Sequence, residues 1–119
     1  MAECVMIFVV GLGRMGAAHA SAYHRNPGFE IVGLMSRNIT RESLPEELRT
    51  YPIFTDFRQG MSELRPNAIS INSYPDTHAE YAIAAMEAGA HVFLEKPLAT
   101  TIEDAQRVIA TAVRTGRKL

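Results

Sequence analysis

The chain has a single cysteine, Cys4, and no tryptophan. One thiol excludes an internal disulfide framework and suits a reducing compartment, so a cytoplasmic protein is expected. Charge of one sign is also lacking. The 12 basic residues face 13 acidic ones, a formal balance of −1. No basic patch stands out in the sequence, which argues against nucleic acid as a partner. The 8 glycines and 6 prolines among 119 residues are too few for a disordered or collagen-like chain. The apolar run over residues 4–10 is far short of the roughly 20 residues that span a bilayer. It also lacks a basic leader, so neither a membrane partner nor a secretory signal is read. No internal repeat, linker or metal-ligand cluster is visible.

What is present is an ordinary globular composition, 47% hydrophobic and 21% charged, on a length that fits one domain over residues 1–119. Two kinds of segment alternate. Residues 5–10 (VMIFVV) form a continuous apolar, β-branched run, as expected of a strand buried on both faces. Residues 15–25 are Ala-rich and helical, stopped by Asn26-Pro27-Gly28. Residues 30–35 read as a strand. Ser43 is placed to cap a short helix with Pro45 in its first turn. Residues 51–54 are a weak strand, which Pro52 confines to a short piece or an edge. A short helix over 57–64 and a strand over 67–71 follow. Thr77 and Glu80 are spaced as a capping box for a helix over 77–88, closed by Gly89. A strand over 91–94 runs into Glu95-Lys96-Pro97. Thr101 and Asp104 suit the start of a helix over 101–114, whose apolar stripe is Ile102, Ala105, Val108, Ile109, Ala112 and Val113. Gly116 ends it.

Strands alternating with helices predict an α/β fold. The expected architecture is a doubly wound (Rossmann), mainly parallel sheet of five to six strands with helices on both faces. A sixth strand would begin near Lys118. The chain therefore reads as cut there, or as a five-stranded variant. The outer edge of the fifth strand is expected to be unpaired and to favour homo-oligomers.

Gly11-Leu12-Gly13-Arg14-Met15-Gly16 is a GxGxxG at a strand-to-helix junction, the context that gives the motif its meaning. Gly11 permits the tight turn, Gly13 lets a pyrophosphate approach the backbone, and Gly16 lets helix and strand pack closely. The free N–H groups of the helix start favour an anion. Domains that bind NAD this way usually carry an acidic residue about 20 positions further on, for the ribose hydroxyls. Ser36 and Arg37 stand there instead. A hydroxyl and a guanidinium suit a 2′-phosphate, so NADP is favoured over NAD. Two further strand ends carry polar residues. Ser73 and Tyr74 are expected beside the dinucleotide. His78, in the first turn of the next helix, is expected to be neutral because the helix dipole disfavours its cation. It reads as well as a histidine that merely bonds a neighbouring loop. At the other end, Pro97 biases Lys96 toward an extended backbone. Lys96 is placed to move a substrate proton, with Glu95 as its pair and partial burial favouring its neutral form. A surface ion pair is the plainer alternative.

GLGRMGAAHA at 11–20, YPDTHAEYAIAAMEAGAHVFLEKPLA at 74–99 and the helix over 101–114 resemble the N-terminal domain of the glucose-fructose oxidoreductase / inositol dehydrogenase (Gfo/Idh/MocA) family. The resemblance covers residues 5–116. It implies a nicotinamide-dependent oxidoreductase that transfers hydride at the nicotinamide C4 to or from a sugar, polyol or related hydroxyl compound. It implies that Lys96 contacts substrate and nicotinamide ribose and takes part in proton transfer. Gly11, Gly13, Arg14 and Met15 would line the diphosphate, and Ser36 and Arg37 the adenosine. With Leu12, Ser73, Tyr74, His78, Glu95 and Lys96, these complete the expected coenzyme set. Three departures stand out. The family's C-terminal substrate domain is not in this chain, which alone is expected to be inactive. The usual Asp at the end of the second strand is Ser36. The common Thr-Pro reads Ser73-Tyr74-Pro75. A stand-alone nucleotide-sensing or partner-binding module is the alternative.

Overall fold

A computed structural model describes residues 4–119. Its elements are β1 (Val5–Val10), α1 (Arg14–Arg25), β2 (Phe29–Met35), β3 (Ile53–Phe54), α2 (Phe57–Leu64), β4 (Ala68–Ile71), α3 (Pro75–Glu87), β5 (His91–Leu94) and α4 (Ile102–Thr115). The five strands form one parallel sheet in the order β3-β2-β1-β4-β5. The expected doubly wound fold is present, with five strands.

β1 lies at the centre, which explains its unbroken apolar run. Ile7 and Val9 face one side, packed with Leu12, Ala20, Ile31, Leu34, Leu44 and Leu48. Phe8 and Val10 face the other, against residues of α2, α3 and α4 such as Phe57, Ala82, Met86 and Val108. Each large aliphatic or aromatic side chain so buried contributes roughly 1.5–3 kcal/mol. The weak strand is the two-residue edge β3, where Pro52 leads in and its carbonyl accepts from Leu34 N–H at 2.9 Å.

Four local expectations are corrected. Ser43 caps no α-helix. It ends a 3-10 turn (Arg41–Ser43), its Oγ donates to Thr40 O at 2.7 Å, and a second such turn (Glu46–Leu48) follows Pro45. α3 starts at Pro75, not Thr77. Proline at the first helical position has its φ already set and no N–H to leave unpaired, so the helix gains a turn start there. Thr77 Oγ1 therefore donates to Tyr74 O at 2.7 Å instead of forming a capping box. On α4 the apolar stripe is split. Val108 and Thr111 are buried, while Ile102, Ile109 and Val113 face outward. Finally, the outer edge of β5 is not bare, because Val92 N–H donates to Lys118 O at 2.9 Å.

Candidate functional site: a coenzyme cleft at the strand ends

Because the strands are parallel, the ends of β1, β2, β4 and β5 meet along one rim. Backbone bonds lock them. Gly11 N–H donates to Met35 O (2.8 Å), Asn72 N–H to Val10 O (2.7 Å) and Glu95 N–H to Ile71 O (3.0 Å). The chain leaves β1 for β2 on one side and later returns to place β4 on the other. A crevice opens at such a point in doubly wound sheets. Here it is a cleft of about 600 Å³ between the glycine turn, the Ser36–Ile39 stretch and the Asn72–Pro75 loop.

The three glycines have separate tasks, as the spacing implied. Gly11 has φ +87°, and a Cβ on it would lie 2.5 Å from the Asn72 carbonyl carbon. A Cβ on Gly16 would lie 1.8 Å from Gly11 O, so only glycine lets α1 cross the turn this closely. A Cβ on Gly13 would meet no atom within 4 Å. It would project into open space, where a bound diphosphate needs room. Gly13 also caps α1, and no side chain caps the helix start. The first-turn N–H groups lack helical partners and attract an anion. These features fit a dinucleotide diphosphate.

Gly11, Leu12, Gly13, Ser36, Arg37, Ser73 and Tyr74 line the cleft, and among the described residues no carboxylate does. Leu12 is only 5% exposed and belongs to the α1-side core, so it offers backbone alone. The Arg37 guanidinium is exposed and has no hydrogen bond or ion pair among the described residues. Tyr74 is 69% exposed at the cleft mouth. Ser73 Oγ shares a 2.7 Å hydrogen bond with Thr77 Oγ1. Arg14 and Met15 form the exposed first turn of α1 and stand outside the cleft walls.

Tyr81 and Asn72 also line the cleft, outside the expected coenzyme set. Tyr81, on α3, stacks on Phe57 with ring centroids 4.1 Å apart. Burial pushes its phenol up, with the Arg37 guanidinium pulling the other way. The net effect keeps a neutral O–H donor beside the cation. Asn72 also lines the cleft, and its Oδ1 is buried without a partner among the described residues. Asn72 belongs to the polar stretch at the end of β4, whereas Tyr81 carries no local motif and reaches the cleft through tertiary packing.

His78 does not line the cleft. It is 1% exposed, and its nitrogens lie 2.7 Å (Nδ1) from Pro97 O and 2.9 Å (Nε2) from Ser73 O. It bonds neighbouring loops, tying together the two that flank the Lys96 end. Both partners are main-chain carbonyls, which only accept.

The expected Glu95–Lys96 pair is also absent. Glu95 Oε2 accepts from His19 Nε2 at 2.9 Å, and Oε1 accepts from the Lys96 N–H at 3.1 Å. These bonds, His19 first, hold the Glu95 carboxyl below the ordinary value. Lys96 is exposed, so the expected partial burial is missing, and its ammonium has no partner among the described residues.

A parallel doubly wound sheet with a glycine turn opening a cleft at its switch point defines a dinucleotide-binding α/β domain. A family model described as an oxidoreductase family with an NAD-binding Rossmann fold matches residues 5–119. The chain belongs to that family, Gfo/Idh/MocA. It is 34% identical over 119 residues to inositol 2-dehydrogenase 3 of Saccharopolyspora erythraea, covering 97% of this chain and 34% of the relative. It is 29% identical over 115 residues to D-glucoside 3-dehydrogenase of Escherichia coli, covering 95% of this chain and 33% of that protein. Scyllo-inositol dehydrogenase of Lactobacillus casei, solved with NAD(H) and scyllo-inositol, superposes with a TM-score of 0.82 at 25% identity, over 96% of this chain and 34% of that one. The chain thus spans about a third of the length of the curated relatives it matches. No helix among the described residues is long and apolar enough to cross a membrane.

Proposed function

We propose that this chain is the coenzyme-binding unit of a nicotinamide-dependent oxidoreductase acting on a CH–OH group of a sugar or polyol, and that it prefers NADP to NAD. The cleft carries the reading. It offers a helix start to the diphosphate, an open face at Gly13 and, among the described residues, an unpaired Arg37 with no lining carboxylate to repel a 2′-phosphate. Inositol and glucoside dehydrogenases among the relatives support the substrate class.

In this reading the backbone of Gly11, Gly13 and the first turn of α1 holds the diphosphate. Ser36 and Arg37 hold the 2′-phosphate. Tyr81, stacked on Phe57, gives the adenosine end a rigid aromatic wall. When bound, the nicotinamide takes or gives the hydride. Lys96 holds or moves the substrate hydroxyl proton. Hydride transfer also needs a substrate fixed at near-attack distance. Among the described residues nothing encloses the space beyond Lys96, so this chain alone is expected to bind coenzyme without turnover.

The test is titration with NADPH and NADH, followed by nicotinamide fluorescence. NADPH should saturate at the lower concentration. Arg37→Ala should weaken NADPH by roughly tenfold to a hundredfold, as for lost bonds to a charged group, and leave NADH unchanged. Failure of both dinucleotides to saturate at millimolar concentration defeats the reading. Equal affinities defeat the NADP preference.

A further inference from the structure

His19 lies outside the coenzyme cleft and belongs to α1, the helix that opens the glycine turn. Its partner, Glu95, is 76 residues away at the end of β5. The imidazole is held on both flanks, tilted against Phe93 with centroids 5.1 Å apart and stacked toward Tyr23 at 6.4 Å. From there its Nε2 reaches Glu95 Oε2 at 2.9 Å. The other carboxylate oxygen takes the Lys96 N–H. Both oxygens are therefore engaged, one by the diphosphate helix and one by the backbone of the proposed proton-transfer residue. The Lys96 ammonium meanwhile has no partner among the described residues, although a carboxylate is its chain neighbour.

We infer that His19 is a positioning residue for Lys96: by holding the Glu95 carboxylate it pins the Lys96 main chain to the coenzyme helix and leaves the Lys96 amine unpaired. The role rests on the reading of Lys96 as the proton-transfer group. The mechanical claim concerns this chain alone and needs no coenzyme to be tested.

The sequence makes the test clean, because Lys96 and Lys118 are the chain's two lysines. Acetylation of each, followed by peptide mass spectrometry, gives a Lys96/Lys118 rate ratio with its own internal control. The exchange rate of the Lys96 amide hydrogen reports the main-chain bond. His19→Phe keeps ring packing against Phe93 and Tyr23 but removes the N–H donor. It should speed Lys96 amide exchange. It should also lower the acetylation ratio roughly two- to fivefold as Glu95 turns to the ammonium, the range of an exposed ion pair. His19→Gln, which keeps a donor, should restore both. Adding Glu95→Gln to His19→Phe should restore the acetylation ratio but not the amide protection. Unchanged exchange and ratio in His19→Phe overturn the inference. Should that variant not fold, Glu95→Gln beside an intact His19 decides. An unaltered ratio supports the inference, and a rise shows that Glu95 already paired with Lys96 and overturns it. Loss of NADPH binding in the unmodified chain would instead defeat the proposed function and leave these readouts standing.

Discussion

The glycine-turn end of the strand rim is walled on both sides, by the Ser36–Ile39 stretch and by the Asn72–Pro75 loop. The β5 end is not. Lys96 is exposed there and the cleft does not reach it. The first end is made largely of backbone, fixed by glycines whose neighbours are main-chain atoms. The second is held by side chains from distant helices, His19 on α1 and His78 on α3. The glycine turn lies within one βαβ unit, and the Asn72–Pro75 loop after β4 adds the far wall. A side-chain-held site takes its shape from contacts far apart in sequence.

The two ends differ most at the glycines. Gly16→Ala sets a Cβ 1.8 Å from a main-chain oxygen that cannot move without opening the turn. It should cost about 3 kcal/mol or more of stability, read as a fall in urea midpoint, with dinucleotide binding lost alongside. Gly13→Ala meets open space. It should change stability by less than about 1 kcal/mol and weaken NADPH about tenfold, one good contact's worth. If the two variants lost stability equally, the backbone account of this end would fail.

His78 links the two ends, since it spans from the Ser73 loop to the Pro97 carbonyl. His78→Ala leaves a buried gap and removes the ring that both carbonyls contact, for about 2–4 kcal/mol. Amide exchange should rise around residues 73 and 96–98 before it rises in β1. Uniform loosening across the sheet would show instead that His78 is core filling.

The glycine-turn end was legible because its signals are local. A continuous apolar run, three glycines and a following helix lie within residues 5–25, and α2 and β5 fall at their expected bounds. The β5 end was legible only as residue types. Glu95 and Lys96 looked like a pair, and nothing near them in sequence names His19 as the actual partner. Periodicity likewise marked a wide apolar stripe on α4 but not which strip turns inward. Thr111 enters the core because its hydroxyl donates to Arg107 O within the helix at 2.7 Å, which removes the penalty of burying it. Ile102, Ile109 and Val113 are left outside.

The smallest expected effect tests the His19–Glu95 bond at equilibrium. The bonds from His19 and then from Lys96 N–H keep the folded carboxyl below its ordinary value of 4.5. A carboxyl with a depressed folded value binds fewer protons folded than unfolded. Its contribution is therefore fully present above the unfolded value and is lost as pH falls through the folded one. Glu95→Gln removes the contribution. The stability gap between the parent chain and the variant should be flat from neutral pH down to about pH 5 and then shrink with acid. Because the pair is only partly buried, the gap should be small, and added salt should narrow it at neutral pH. Urea midpoints for both proteins between neutral and acid pH give the curve. A gap that stays constant into the acid range would mean that Glu95 is held by neither bond, and the β5 end would then be as loosely built as its exposure suggests.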